Sequence, residues 1–490
     1  MSKAYIIGTG PGDEELLTLK AIKALGECTA VLYDRLVSNN VLNYLSEDCE
    51  VYYCGKEPGA HYKTQDEINE MIVKLANEGH LVGRVKGGDP YVFGRGGEEV
   101  LALEKEGIDF EVIPGVTSPI AVLNYAGIPI THRGIAQSFH IVTGMTAVEE
   151  KINFEALANE TGTLVFMMGL SNLEKIVENL TKYGKNINTP AAVVMRGTSS
   201  KQKKVVGTLD NIVDKVKEAG LQSPCIIVVG DVVNLSNKLS WYEKKPLFGW
   251  NICVTRSREQ ASSLKDKLTK LGAEVTSISS IKIEKTLENL DEYVEKLDKY
   301  HHIIFTSVNG VNIFFDYLIE KNYDIRRLKA KFSVVGKATK KALAQRGIQA
   351  YKMAREFVGE GLFESIKEDL KPGEKVLIPC SSKSRTFLKD EIEALALEVD
   401  RVHTYNTVPG KVQNKRSFDE VDIVLFTSPS TVNNMVDMVG IEEVKKKKCI
   451  AIGPITFKAL KERGIDGLMC KQHSEDGFLR EIVEIVNKEV

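Results

Sequence analysis

Two stretches of the chain combine glycine with charged side chains in a way that suits recognition of a small molecule. The first is Tyr5-Ile6-Ile7-Gly8-Thr9-Gly10-Pro11-Gly12-Asp13, and the second runs from Lys86-Gly87-Gly88-Asp89-Pro90 through Gly94-Arg95-Gly96-Gly97 to Glu98-Glu99. Each follows a short apolar run, and glycine at such a point lets backbone N–H and C=O groups close on a ligand at positive φ. A dinucleotide fingerprint would need a third glycine where Asp13 stands, and Pro11 stiffens the turn. A phosphate-cradling Walker loop would end in Gly-Lys-Ser/Thr, which neither stretch does. A single Gly-x-Gly turn reads equally well as a tight strand-to-helix connection. Two in one α/β half imply a small-molecule site built largely of backbone.

The elements that position such residues are strand-then-helix units, and the second half of the chain repeats them. Residues 251–275 (NICVTRSREQASSLKDKLTKLGAEV) align without gaps to 375–399 (KVLIPCSSKSRTFLKDEIEALALEV), 303–311 to 424–432, and 334–348 to 451–465. Each pair reads strand, small polar turn, amphipathic helix. The Ser, Thr or Gly after each strand can cap a helix, where free N–H groups favour an anion; taken singly, each reads first as a cap and nothing more. Because matching strand ends carry them in both repeats, they point to the carboxyl ends of parallel strands, where α/β proteins place ligands. A linker is expected at Glu243-Lys244-Lys245-Pro246, since proline biases the preceding residue toward extended geometry.

Length and composition bound the remainder. The 490 residues suffice for about three units of ordinary domain size. A 43% hydrophobic and 27% charged composition is that of a globular protein, and a net charge of −2 gives no global pull toward nucleic acid or membrane. Local Arg and Lys must meet any anionic substrate. The run Lys445–Lys448 reads as a solvated loop or helix end. Eight cysteines without a CxxC pair, several in strand-like runs (Cys253, Cys380, Cys449), suit a reducing cytoplasm. No metal site is expected, since no His/Cys cluster accompanies Cys49 and Cys54. Met1-Ser2-Lys3 leads into a strand without an apolar signal region, and no apolar run approaches membrane-spanning length, so a cytoplasmic location is expected.

The ordered motifs from Tyr5 to about Val233 resemble the tetrapyrrole-type (class III) S-adenosylmethionine methyltransferases, in particular the uroporphyrinogen-III C-methyltransferases. Besides the two glycine stretches, the matching pieces are YDRLVS (33–38), Gly55-Lys56, PGVTSP (114–119), AGIPITHRG (126–134), MMGL (167–170) and RGT (196–198). Val85, Tyr91, Pro119 and Met145 depart from the family pattern, at positions that bear on fine substrate contacts. The second half, about 246–490, resembles uroporphyrinogen-III synthase through VTRS (254–257), FTSVNGV (305–311), VHTYNT (402–407), FTSPSTV (426–432) and IGPIT (452–456).

The resemblance implies an α/β protein with a methyltransferase fold of two α/β lobes over 1–240 and a synthase fold of two Rossmann-like lobes over 246–490. In the synthase half, 250–280 would join 406–490 in one lobe and 281–405 would form the other. It implies S-adenosyl-L-methionine as methyl donor, S-adenosyl-L-homocysteine as product, no cofactor for the synthase half, tetrapyrrole substrates and a homodimer through the methyltransferase half. By the same resemblance Pro11, Gly87, Gly88, Asp89, Val92, Thr117, Ser118, Met168 and Gly197 take the cofactor. Asp34 is the proton acceptor and Lys56 the proton donor in methylation. Read alone, Asp34 is also a surface charge beside Arg35, and Met168 a strand-end core residue. Arg84, Lys86, Arg95 and Arg133 are candidates for substrate carboxylates, with solvated or salt-bridged roles the alternative. In the synthase half Tyr405 matches the family tyrosine and is a candidate proton donor, or a buried tyrosine with a satisfied hydroxyl. Thr306, Ser307, Asn309, Ser428, Ser430 and Thr456 are donors to substrate carboxylates, since no His/Asp partner makes them nucleophiles; His301, His302 and His403 are structural. Two readings compete with a bifunctional enzyme that makes uroporphyrinogen III and methylates it to precorrin-2. One is a methyltransferase for a later corrin intermediate, against which YDRLVS and Gly55-Lys56 argue; the other gives the C-terminal half a non-catalytic binding or regulatory role.

Overall fold

Short runs with few polar residues become the inner strands of four sheets. The computed structural model describes residues 3–55, 63–146, 152–255, 258–354, 358–410 and 416–489. Strands β1 (Lys3–Gly8), β2 (Ala30–Tyr33), β3 (Glu50–Tyr53), β4 (Leu81–Lys86) and β5 (Asp109–Ile113) form a wholly parallel sheet in the order β3-β2-β4-β1-β5. Its centre is buried on both faces, as parallel sheets require. Tyr5, Ile7, Val31 and Val85 pack under the helix Leu19–Glu27, while Ile6, Leu32 and Val82 pack under Gln65–Asn77 and Gly96–Lys105. The second lobe holds β6 (Phe139–Thr143), β7 (Thr163–Met167), β8 (Pro190–Met195), β9 (Lys203–Thr208) and β10 (Cys225–Val229), ordered β6-β7-β10-β8-β9. Only β6 and β7 pair in parallel there.

The C-terminal half contains β11 (Asn251–Val254), β12 (Glu274–Ser277), β13 (Ile281–Lys285), β14 (His302–Phe305), β15 (Lys331–Val334), β16 (Lys352–Met353), β17 (Lys375–Ser381), β18 (Glu398–Pro409), β19 (Ile423–Phe426), β20 (Lys448–Ala451) and β21 (Gly467–Met469). They make two sheets, β12-β11-β19-β20-β21 and β13-β18-β17-β14-β15-β16. Apart from β13, antiparallel at an edge, the two orders superimpose strand for strand: β11 with β17, β12 with β18, β19 with β14, β20 with β15, β21 with β16. The repeat is therefore structural, and Thr306 and Thr427 directly follow the equivalent strands β14 and β19. The chain groups into one unit of 1–278 with 412–490 and a second of 279–411, close to the two crossings expected from the sequence.

The expected linker is an ordered connection. Trp241 Nε1 donates to the Asn124 carbonyl at 3.0 Å, and Tyr242 makes edge contacts with Tyr125 and Phe248. Leu247 is fully buried in the core of the sheet containing β11. Aromatic and apolar side chains on both sides of Pro246 hold this segment. Cys253, Cys380 and Cys449 are core residues, and burial pushes the Cys449 thiol up to about 12.

Candidate functional site

The carboxyl ends of the central strands of the first sheet bring the glycine loops together. Thr9 N donates to the Lys86 carbonyl at 2.9 Å, and Gly10 and Gly88 exchange N–H···O bonds of 3.2 and 2.6 Å. A third loop closes on this pair, for a Cβ at Gly115 would lie 2.2 Å from the Gly88 oxygen. Gly88 itself, at φ +69°, faces open space: a Cβ there would have only Ser118 N within 4 Å, at 3.9 Å. Both the angle and the opening favour glycine. Asp89 accepts from Tyr91 N at 2.9 Å and Gly115 N at 3.1 Å, so its carboxylate fixes the loop that leads to Thr117 and Ser118. Thr117 caps the helix Ser118–Tyr125 through its backbone alone, which leaves its hydroxyl outside the cap. Pro11 and Val92 lie half-buried in their loops, and Gly87 packs on Leu36.

The second lobe contributes two further expected positions. Gly197 follows β8 and packs so tightly on Val122 that a Cβ would come within 2.4 Å of that side chain. Thr198 Oγ1 accepts from Asp13 N at 3.3 Å and so joins this segment to the first glycine loop. Met168 has a φ of +53° and is 42% exposed. With Met145, Tyr91, Phe93 and Arg95 it lines an open cleft of about 700 Å³.

Beneath the loops lies a charge cluster of which the sequence reading named three members. Arg84 and Lys86 stand two apart on β4, so both project to the face covered by Gln65–Asn77 and Gly96–Lys105. There they meet Glu99, fully buried, whose Oε1 accepts from Arg84 Nε and Lys86 Nζ, each at 2.9 Å, and from Gln65 Nε2 at 3.2 Å. The second oxygen, Oε2, has no hydrogen-bond partner among the described residues. Arg84 Nη2 donates to Asp34 Oδ2 at 3.0 Å. Asp34 follows β2, 27% exposed, with Oδ1 accepting from Leu36 N at 3.0 Å. Burial works to lower the Arg84 pKa, but the Glu99 and Asp34 carboxylates outweigh it and raise it. Lys86 is lowered, first by burial and then by Arg84, against the pull of Glu99. Arg84 and Lys86 thus face Glu99 inside the lobe, and Arg84 holds Asp34 at the surface. The missed residue, Glu99, had a signal: two cations on one face of a buried strand require a carboxylate.

The other cations differ in setting. Arg95 forms a bidentate pair with Glu98 at the cleft rim. Arg133 is exposed and has no ion pair among the described residues. Lys56 lies outside the described residues.

In the second unit Tyr405, on β18, is buried, and its hydroxyl meets Ser307 Oγ at 2.9 Å. Ser307 caps the helix Val308–Glu320 and accepts from Gly310 N at 3.0 Å. Burial raises the Tyr405 pKa, with the Ser307 bond opposing and Cys380 adding to the rise. Thr306 and Asn309 flank this pair, both half-buried. His302 bonds Glu374 at 3.2 Å and His403 bonds Arg401 at 2.8 Å. In the first unit Ser428 forms a capping box with Thr431 and meets Ser430 Oγ at 2.8 Å. Thr456 is buried in the first turn of Pro454–Glu462. Among the described residues no group of three His, Cys, Asp or Glu side chains is placed to hold a metal, and no helix is long and apolar enough to cross a membrane.

Fold and site define an α/β tetrapyrrole methylase joined to a synthase of two Rossmann-like lobes. The family profile of tetrapyrrole (corrin/porphyrin) methylases matches residues 3–213, and that of uroporphyrinogen-III synthase HemD matches 262–480. A porphyrin biosynthesis protein HemD of Ruminiclostridium josui is 37% identical over 98% of this chain and 97% of its own length. A uroporphyrinogen-III C-methyltransferase of Bacillus subtilis is 42% identical over 70% of this chain and 71% of its own. An S-adenosyl-L-methionine-dependent uroporphyrinogen III methyltransferase of Methanosarcina barkeri is 47% identical over 48% of this chain and 94% of its own. The chain belongs to the family of porphyrin-biosynthesis fusions that join a uroporphyrinogen-III methyltransferase to a uroporphyrinogen-III synthase.

Proposed function

We infer that this chain is a bifunctional enzyme of tetrapyrrole synthesis. The C-terminal half, 246–490, closes hydroxymethylbilane to uroporphyrinogen III with inversion of the last ring. The N-terminal half, 1–240, transfers two methyl groups from S-adenosylmethionine to that product, giving precorrin-2. The observation that supports it most is the convergence of the Gly10 and Gly88 loops at the strand ends, beside an Asp34 oriented by Arg84. A non-catalytic C-terminal module is not favoured, because near full-length similarity runs to a porphyrin biosynthesis protein.

The loops fit an adenosyl ligand: backbone groups converge, Gly88 leaves open space, and Met168 offers an exposed thioether at the cleft. Pro11, Gly87, Gly88, Asp89, Val92, Thr117, Ser118, Met168 and Gly197 would hold it, and when bound it supplies an electrophilic methyl on a sulfonium. The chain's own task is to align a pyrrole carbon in line with that methyl and to remove the ring proton afterwards. Asp34 takes that proton, and the Arg84 bond keeps its carboxylate aimed. Lys56 is assigned as the proton donor. Arg133, without an ion pair among the described residues, would pair with a substrate carboxylate, and Arg95 would do so by leaving Glu98; Arg84 and Lys86 are held by Glu99 inside the lobe, from where Arg84 acts through Asp34. In the synthase half, either hydroxyl of the Ser307–Tyr405 pair can donate to the other, and with Ser307 as the donor the phenolic proton is left for the departing hydroxyl of the bilane. Thr306, Asn309, Ser428, Ser430 and Thr456 are assigned to substrate carboxylates. A homodimer through the methyltransferase half and a cytoplasmic location belong to the same reading.

The test is incubation of the whole chain with hydroxymethylbilane and S-adenosylmethionine, followed by mass spectrometry. Uroporphyrinogen III and its dimethylated product are expected. Bilane consumption that yields only the uninverted isomer would remove the synthase assignment.

A further inference from the structure

We propose that the lobe formed by β11, β12 and β19 to β21 holds residues 196–201 of the methyltransferase half in their binding shape, with Glu274 and Glu420 as positioning residues for methyl-donor binding. The inference rests on the reading that this segment, through Gly197, belongs to the S-adenosylmethionine site. Arg196 and Thr198, on either side of Gly197, both have left-handed backbone, at φ +45° and +71°. Non-glycine residues in that region cost on the order of 1–3 kcal/mol each and persist where their surroundings hold them.

Much of the holding comes from outside the methyltransferase half. Ser200, almost fully buried, donates from both N and Oγ to Glu274 Oε2, at 2.9 and 2.7 Å. Arg196 Nη2 reaches both oxygens of Glu420, at 2.7 and 2.6 Å. Lys201 Nζ lies 3.2 Å from Asp422, which also accepts from Asn251 N. The connecting segment adds Tyr242, whose hydroxyl donates to the Thr198 carbonyl at 3.4 Å. A separate contact joins Asn40, six residues beyond Asp34, to the Val275 carbonyl at 2.7 Å.

The acids stand at the amino ends of their strands. Glu274 opens β12 and Asp422 precedes β19, whereas Ser428 and Thr456 lie beyond the carboxyl ends of β19 and β20. Synthase chemistry at the carboxyl ends therefore leaves these acids free to serve the methyltransferase. The contacts are not equal. Arg196 and Glu420 are partly exposed, so solvent screens them, while Glu274 accepts two bonds from a buried serine.

The test is calorimetric titration of S-adenosylmethionine into the full chain. Glu274→Ala is expected to weaken binding roughly tenfold, the order of an ordinary coupling between sites. The KM for the donor should rise in parallel, with kcat at saturating donor within about twofold of the parent. Glu274→Gln keeps an oxygen that accepts both bonds and should restore most of the affinity. Arg196→Glu and Glu420→Arg should each weaken binding by about two- to threefold, as expected of a screened pair, and the double variant should recover it. Gly88→Leu tests the underlying site: wild-type affinity there would overturn the site reading and this proposal with it. Loss of binding in Gly88→Leu together with wild-type affinity in Glu274→Ala would overturn the proposal alone. Equal losses in Glu274→Ala and Glu274→Gln would also overturn it, since the hydrogen bonds would then not be the cause. Should Glu274→Ala fail to fold, the Arg196/Glu420 exchange decides: no recovery in the double variant counts against the proposal.

Discussion

Glu99 shows how far single residues depend on one another here. Its carboxylate is wholly buried, yet it faces Arg84 and Lys86 from one oxygen, and Arg84 reaches on to Asp34. Removing one partner of a buried ion group leaves the others uncompensated, which costs about 3–5 kcal/mol. Glu99→Gln should therefore lower stability by that order in denaturant unfolding, although it touches no ligand. Asp34→Asn is a different case, since it keeps the shape and removes the base. Methylation should fall by roughly 10² to 10⁴-fold in a donor-saturated assay, the range for a lost general base. Tyr405→Phe removes only a hydroxyl that Ser307 already bonds, and if folding of the substrate dominates ring closure, the rate should fall only about tenfold. A loss as large as that in Asp34→Asn would make Tyr405 the principal acid instead.

At the scale of elements, the strand-turn-helix repeat explains why hydroxyl residues recur after strands. Ser307 and Ser428 cap equivalent helices, and Ser428 forms the fuller arrangement, a capping box with Thr431. Ser428→Ala should cost about 1 kcal/mol of stability, seen as a lower denaturant midpoint at unchanged slope. The strand β14 carries a pH-dependent contribution as well. Burial lowers the His302 pKa below its ordinary 6.5, against the opposing pull of Glu374. The unfolded chain therefore takes up the proton first, and stability declines as pH falls from about 6.5 toward the folded value. Unfolding midpoints measured across that window should slope downward with acid, and His302→Gln should flatten the slope. The helix caps were legible from residue type alone. The partner of Ser307 was not, because Tyr405 lies 98 positions away on a strand whose register with β17 shifts near Cys380.

For the whole molecule, assigning one reaction to each half makes the two activities separable. Asp34→Asn should leave ring closure at the parent rate, and Tyr405→Phe should leave methylation of supplied uroporphyrinogen III unchanged, with the two effects adding in the double variant. Both rates measured in all three variants would check this, and slowing of ring closure by Asp34→Asn would count against the division. The sequence by itself determined the motif order, the two halves and the internal repeat, because glycine turns, apolar strands and caps are local choices that leave local patterns. The crossing of the chain near 280 and 410 was also legible, through the resemblance to the synthase family. Tertiary structure alone decided which charges are spent on each other. In a linear reading Arg84 and Lys86 are substrate ligands or solvated or salt-bridged cations alike, and only the burial of β4 under Gly96–Lys105 brings Glu99 against them. Likewise nothing around Ser200 points to Glu274, 74 residues on, because an ion or hydrogen-bond partner is chosen by proximity after packing, and packing joins residues that the sequence keeps apart.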